Sequence, residues 1–238
     1  MSRETQNVLL LLVGLATGLL LVKGTYVHYV KPSLLPWLIA AAVVLTALAV
    51  ISIVRDIRRG AHPNIDGAHG HPHRAWIVWL LLAPVAVTAF VAPPPLGSHG
   101  ATPKLAATDA PQRHPFPPLP PERAPVISLP EVLMRAATDS AGTLDGRLIT
   151  ITGFTMKGND GPDLGRVVII CCAADAQLAK LHLAGPAVAT AAGYPEDTWL
   201  RIEGQVISGS SNPSTSFVPT ITVSDVTQIE RPTNTYAH

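Results

Sequence analysis

The chain has 238 residues, a positive mean hydropathy, few aromatic (5%) and charged (14%) residues and a formal net charge of +1. That combination argues against one globular enzyme and for a small membrane protein with a soluble portion. Residues before Pro93 carry seven Lys/Arg against three Asp/Glu, and those from Pro93 onward carry ten against thirteen, so the soluble part is mildly acidic and unsuited to a phosphate backbone.

Three apolar segments precede Pro93. The first begins at Val8 with "VLLLLVGLATGLLLV" and runs on toward Val30. A signal peptide has a shorter apolar core and a small-residue cleavage site. No convincing site follows, so the segment is read as retained, with Lys23 snorkelling to the headgroups. The second, residues 34–54, has the roughly 20 apolar residues that a span needs. The third, residues 75–92, is slightly short and contains Pro84. It has Trp76 and Trp79 at one end and is stopped by Pro93, Pro94 and Pro95. Orientation follows the Lys/Arg flanks. Arg55, Arg58, Arg59 and Arg74 lie between spans two and three, which places that loop in the cytoplasm and the C-terminal part outside.

Within the first span, Gly14 and Gly18 form a GxxxG, a spacing that lets helices approach closely but that also arises by chance in Leu/Gly-rich spans. No Asp or Glu lies in a span core, so three such spans do not make an ion pathway by themselves. The loop "RRGAHPNIDGAHGHPHRAW" gathers His62, His69, His71 and His73. Imidazoles on a Gly/Pro backbone can collect a divalent transition metal, although the spacing matches no fixed geometry and a solvated linker reads the same way.

Residues 93–128 are dense in proline and predict an extended, semi-rigid spacer. Residues 129–238 then read as a small, mainly β domain. "LPEVLMRAAT" (129–138) predicts a short helix and "RLITITGFT" (147–155) a strand. "RVVIICCA" predicts a strand buried on both faces, and "DAQLAKLHLAG" a helix capped by Asp175. "TWLRIEGQVI" (198–207) alternates cleanly, and "FVPTITVSDVTQIE" (217–230) reads as a closing edge strand because of Pro219. Four or five strands with one or two helices fit an OB-like barrel.

Cys171 and Cys172 are the two cysteines of the chain. On a strand they would point to opposite faces, and the apolar stripe of Val167 and Ile169 would take Cys171 into the core and leave Cys172 beside Asp175. Three readings stay open: packing as small hydrophobes, a soft-metal or thiol contact, and a redox-active vicinal disulfide. No Ser/His/Asp set, phosphate loop or paired carboxylates accompany them.

"VKGTYVHYVKP", the His-rich loop, "PPPLGS", "GFT", "GRVVIICCAADA", "WLRIEGQV" and "ERPTNTY" together resemble the bacterial YcgQ-like membrane proteins. The resemblance covers nearly the whole chain except the longer proline stretch, and "CCAADA" is its specific part. It implies a permease subunit of a two-gene system, partnered by a larger multi-span permease in the plasma membrane, with a hint of metal homeostasis. The expectation is a non-enzymatic accessory subunit. It has a three-span region at 1–92, a linker at 93–128 and an extracytoplasmic barrel at 129–238, with Cys171, Cys172 and Asp175 as candidate binding residues. The alternative is an extracytoplasmic thiol oxidoreductase using the cysteine pair.

The charge asymmetry makes one prediction. Alkaline phosphatase fused after His238 is active, and the same enzyme fused at His69 is not. The reverse pattern refutes the orientation.

Overall fold

The computed structural model describes residues 3–58, 96–97, 112–158 and 161–237. It comprises two units, Met1–Pro94 and Pro95–His238. The predicted third span and the histidine loop lie outside the described residues.

In the first unit, α1 (Arg3–Val22) and α2 (Leu35–Arg58) form a helical hairpin joined by two 3-10 turns. Gly24 at φ 69 turns the chain off α1, a conformation that glycine takes without steric cost. The helices touch where side chains are small. Ala42 and Ala49 of α2 are buried, and a Cβ on Gly14 would lie 2.6 Å from Thr46 Oγ1. Gly14 is thus used inside the chain, against α2, whereas among the described residues nothing lies within 4 Å of a Cβ on Gly18. The apolar stretch of α2, Pro32–Arg55 with its leading 3-10 turn, is long and apolar enough to cross a membrane, and the apolar run of α1, Leu9–Val22, is shorter. Trp37, Val43, Leu48 and Ile51 lie exposed on α2, as lipid contact requires and water disfavours.

In the second unit, residues 112–128 of the proline-rich segment are laid along the domain. Ile127 N–H donates to Thr150 O at 2.9 Å, Thr150 N–H donates to Pro125 O at 2.9 Å, and Leu119 and Ile127 enter the core. This part therefore packs and does not act as a spacer. α3 (Leu129–Thr138) starts where Ser128 Oγ accepts Glu131 N–H at 3.4 Å and Pro130 fills an early position that needs no donor. Its buried face carries Leu129, Val132 and Leu133.

Five strands follow: β1 (Leu148–Lys157), β2 (Pro162–Val168), β3 (Gln177–Ala184), β4 (Trp199–Val206) and β5 (Thr220–Gln228), with the short α4 (Val188–Ala192) between β3 and β4. They close into a barrel in the order β1-β2-β3-β5-β4. All neighbours are antiparallel except β3 and β5, which run parallel. Ile149, Ile151, Leu164, Leu181, Leu200, Ile202 and Ile221 fill the interior. A second cluster of Phe154, Val167, Ile169, Leu178, Trp199 and Tyr236 packs at one end.

Three expectations are corrected. The predicted helix "DAQLAKLHLAG" is strand β3. Its composition suits a helix, but Leu181 and Leu183 go inward while Lys180 and His182 stay outside, and the sheet overrides local propensity. Pro219 does not mark an edge, because β5 pairs with both β3 and β4. Pro219 sits just before the strand, where its carbonyl accepts His182 N–H at 3.0 Å. The predicted cysteine-bearing strand ends at Val168, before either cysteine.

Closure depends on close backbone approach at Gly153, where a Cβ would lie 2.6 Å from Gly165 O. Both sides of that contact are sheet backbone and cannot move aside. Gly153→Ala is expected to destabilise the C-terminal domain by about 1–3 kcal/mol, the range for overpacking, read as a lowered denaturation midpoint. An unchanged midpoint contradicts the contact.

Candidate metal centre

The two cysteines lie in the connection between β2 and β3. After Val168 the chain is pinned by its own C-terminal tail: Ala237 N–H donates to Val167 O at 2.9 Å and Ile169 N–H donates to Ala237 O at 3.3 Å. Ile169 is buried, and Tyr236 packs in the same cluster. Alternation then carries Ile170 outward, 59% exposed. From there a carboxylate, not the sheet, sets the backbone. Asp175 Oδ1 accepts Ile170 N–H at 3.0 Å, and Oδ2 accepts the N–H groups of Cys171 at 2.8 Å and Cys172 at 3.4 Å. In return, Asp175 N–H donates to Cys172 O at 3.0 Å, which closes a single 3-10 turn, Ala173–Asp175. The short spacing from Cys172 to Asp175 lets one side chain collect three consecutive amides.

This geometry overturns the alternating placement of the thiols. Neither is in the core. Cys171 is exposed, Cys172 is half-buried, and both are free. The Sγ atoms lie 3.7 Å apart on the same side. Together with a carboxylate oxygen of Asp175 they bring three donor atoms within 4.8 Å of one another. The reason is that strand alternation stops at Ile170, and the turn rotates the next two residues toward Asp175.

The electrostatics follow from the shared proton. The Cys171 thiol hydrogen-bonds to Asp175 and contacts Cys172. That bond, the second thiol and the nearby negative charge push its pKa up to about 11. The same thiol bond, joined by the backbone amides of Cys171, Ile170 and Cys172, holds the Asp175 carboxyl below its usual range. At neutral pH the Asp175 carboxylate is ionised and the Cys171 thiol beside it keeps its proton. Cys171 is accordingly a weak nucleophile, since the thiolate is the attacking species. The same donor set suits a cation that takes over the place of the shared proton.

The other sequence candidates fall elsewhere. Gly14 and Gly18 belong to α1. His62, His69, His71 and His73 are not among the described residues. His182, close to Asp175 in sequence, lies at the far end of the β2–β3 hairpin, opposite Asp163. No spacing in the sequence announces that pairing, because cross-strand register creates it.

Residues 132–238 match the DUF1980 C-terminal domain, which places the cysteine loop and all five strands inside the matched region. No curated protein and no solved structure matches the chain.

The proton-sharing loop sets the reactivity of Cys171. Its alkylation by iodoacetamide should rise with pH toward about 11. Asp175→Asn, which keeps one accepting oxygen and removes the charge, should shift the profile to lower pH and speed labelling at pH 8. An unshifted profile contradicts the hydrogen bond.

Proposed function

We propose that this chain is an accessory membrane subunit whose barrel takes up or presents a thiophilic divalent cation at Cys171, Cys172 and Asp175. The observation that carries the reading is the convergence of two thiols and a carboxylate within 4.8 Å on an accessible loop. The sulfur separation points to the kind of metal. Tetrahedral coordination with metal–sulfur bonds of about 2.3 Å puts two thiolates about 3.8 Å apart. A straight sulfur–metal–sulfur line at that bond length would put them about 4.6 Å apart. The 3.7 Å separation fits the tetrahedral case and therefore a zinc-like ion. Three protein donors leave a fourth position open, which suits transfer better than permanent structural binding.

The barrel is OB-like in this reading. Support comes from its closed order β1-β2-β3-β5-β4, the parallel β3–β5 pair and the helix between β3 and β4. The arginine-rich segment after α2 supports an outer location for the barrel, and the resemblance to YcgQ-like subunits supports a multi-span permease as the partner. On α1, Gly18 is the small residue that no described residue covers, and it can receive such a helix. The thiol-oxidoreductase reading needs a thiolate near neutral pH, and Cys171 does not offer one.

The test is zinc titration of the full-length chain in detergent, in a background where His62, His69, His71 and His73 are alanine. One zinc should bind per chain. Cys171→Ser and Cys172→Ser should each weaken binding at least tenfold, and Asp175→Asn should weaken it less. Binding that persists in the double cysteine variant refutes the assignment.

A further inference from the structure

We propose that the end of the barrel opposite the cysteine loop is a binding site for a small organic acid, an anionic head on an apolar body, with His182 as the residue that reads the head. The β2–β3 hairpin has two ends. Asp163 pairs with His182 at one end, and Val168 pairs with Gln177 at the end nearer the cysteines, five residues away. At about 3.3 Å per residue, the two ends lie about 17 Å apart.

A cavity of about 750 Å³ opens at the Asp163 end, well within the size of small-molecule sites. Its wall holds a carboxylate that is almost wholly covered. The Asp163 side chain is 3% exposed, yet it lies against the half-exposed ring of His182 and the amine of Lys180. His182 Nδ1 stands 2.6 Å from Asp163 Oδ1, and Lys180 Nζ stands 3.4 Å from Oδ2. A carboxylate oxygen only accepts, so Nδ1 carries the hydrogen and the ring is locked in one orientation. Nε2 faces the ligand, and it donates to an anionic head only when it too carries a hydrogen, so the acid binds together with one proton. Burying a carboxylate is costly unless it is paired, and this pairing orients an imidazole at a cavity wall.

The remaining lining fits an anion with an apolar tail. Among the described lining residues, Asp163 is the single acid, against Lys157, Lys180 and His182. Lys180 offsets Asp163, so Lys157, whose backbone N–H donates to the Glu196 carboxylate at 3.2 Å, and the His182 ring with a hydrogen on both nitrogens are left to face a negative group. On the rim, the 3-10 turn Pro213–Thr215 is held by Asn212, whose side-chain oxygen accepts from Ser214 N at 3.0 Å and Thr215 N at 3.3 Å. The next two residues, Ser216 and Phe217, take left-handed φ values of 51 and 59. Consecutive non-glycine residues in that region cost free energy, and such strain gathers at ligand clamps. The turn places the exposed Ser216 and the neighbouring Phe217 on the lining, and Leu183, next to His182, supplies further apolar surface.

A merely structural role for Asp163 and His182, as a stabilising cross-strand pair, predicts no ligand. Titration calorimetry of the full-length chain in detergent separates the two. The probes are hexanoate and benzoate, their uncharged amides, and inorganic phosphate as a bare anion. At least one carboxylate should bind saturably at one per chain, with its amide and phosphate at least tenfold weaker. His182→Gln should weaken binding at least tenfold with little change in melting temperature. Should that variant unfold, Lys157→Met, at an exposed position, still has to weaken binding severalfold. The proposal is overturned if neither carboxylate binds, if the amide or phosphate binds equally well, or if the folded variants bind like the parent.

Discussion

Barrel closure is the constraint on which the C-terminal domain depends. Five short strands close only where backbones come nearer than side chains allow, and glycine stands at those places. A Cβ on Gly153 would meet Gly165 O, and one on Gly204 would lie 2.6 Å from Thr222 O, next to the register shift at Glu203/Gly204. Closure removes every sheet edge and so the hazard of edge pairing. It also fixes what the connections can do. Once β2 and β3 are held as neighbours, one end of their hairpin must be bridged by the short run from Ile169 to Ala176, and the other is left to form the wall of the cavity.

The Ile169–Ala176 connection meets its backbone needs with one side chain. Three successive amide donors would otherwise point away from the barrel with no strand to receive them. Asp175 accepts all three, and that demand places its carboxylate beside the thiols. The folding requirement and the chemical capacity are therefore the same arrangement. A loop built this way also keeps its donors in place without a bound ion, which limits the ordering cost of binding one.

Much of the domain was legible in the sequence. The run "LPEVLMRAAT" marks the helix at 129–138, and the alternation of Leu200, Ile202 and Val206 marks β4, because both signals are local. The errors came where distant contacts decide. Residues 177–184 are rich in Ala, Leu and Lys, and only the strands on either side make them β. The prolines of 112–128 announce an extended chain but not the surface that receives it, since Leu119 and Ile127 stand among prolines with no helix or strand period to mark a buried face. Composition points to the cysteine loop but not to its geometry, because β2 ends at Val168 and strand alternation does not reach either cysteine. Asp163 and His182, 19 positions apart, leave no local trace at all.

The tail explains why the cysteine loop can be both exposed and ordered. Tyr236 is buried under Ile169, and its hydroxyl accepts Leu96 N–H at 2.9 Å, so residues 140 positions apart meet at the foot of the loop. Ala237 bridges Val168 in parallel and extends the sheet by one short pairing. Arg166, stacked 5.4 Å over Trp199 and donating to Asn234 O and to Thr152 Oγ1, ties the same tail to β1 and β4. The backbone before the cysteines is thus held from below by contacts that involve none of the candidate ligands. That separation lets Cys171 stand in solvent: its position is set by Asp175 and the buried tail, and burial of the thiol is not needed to hold it there.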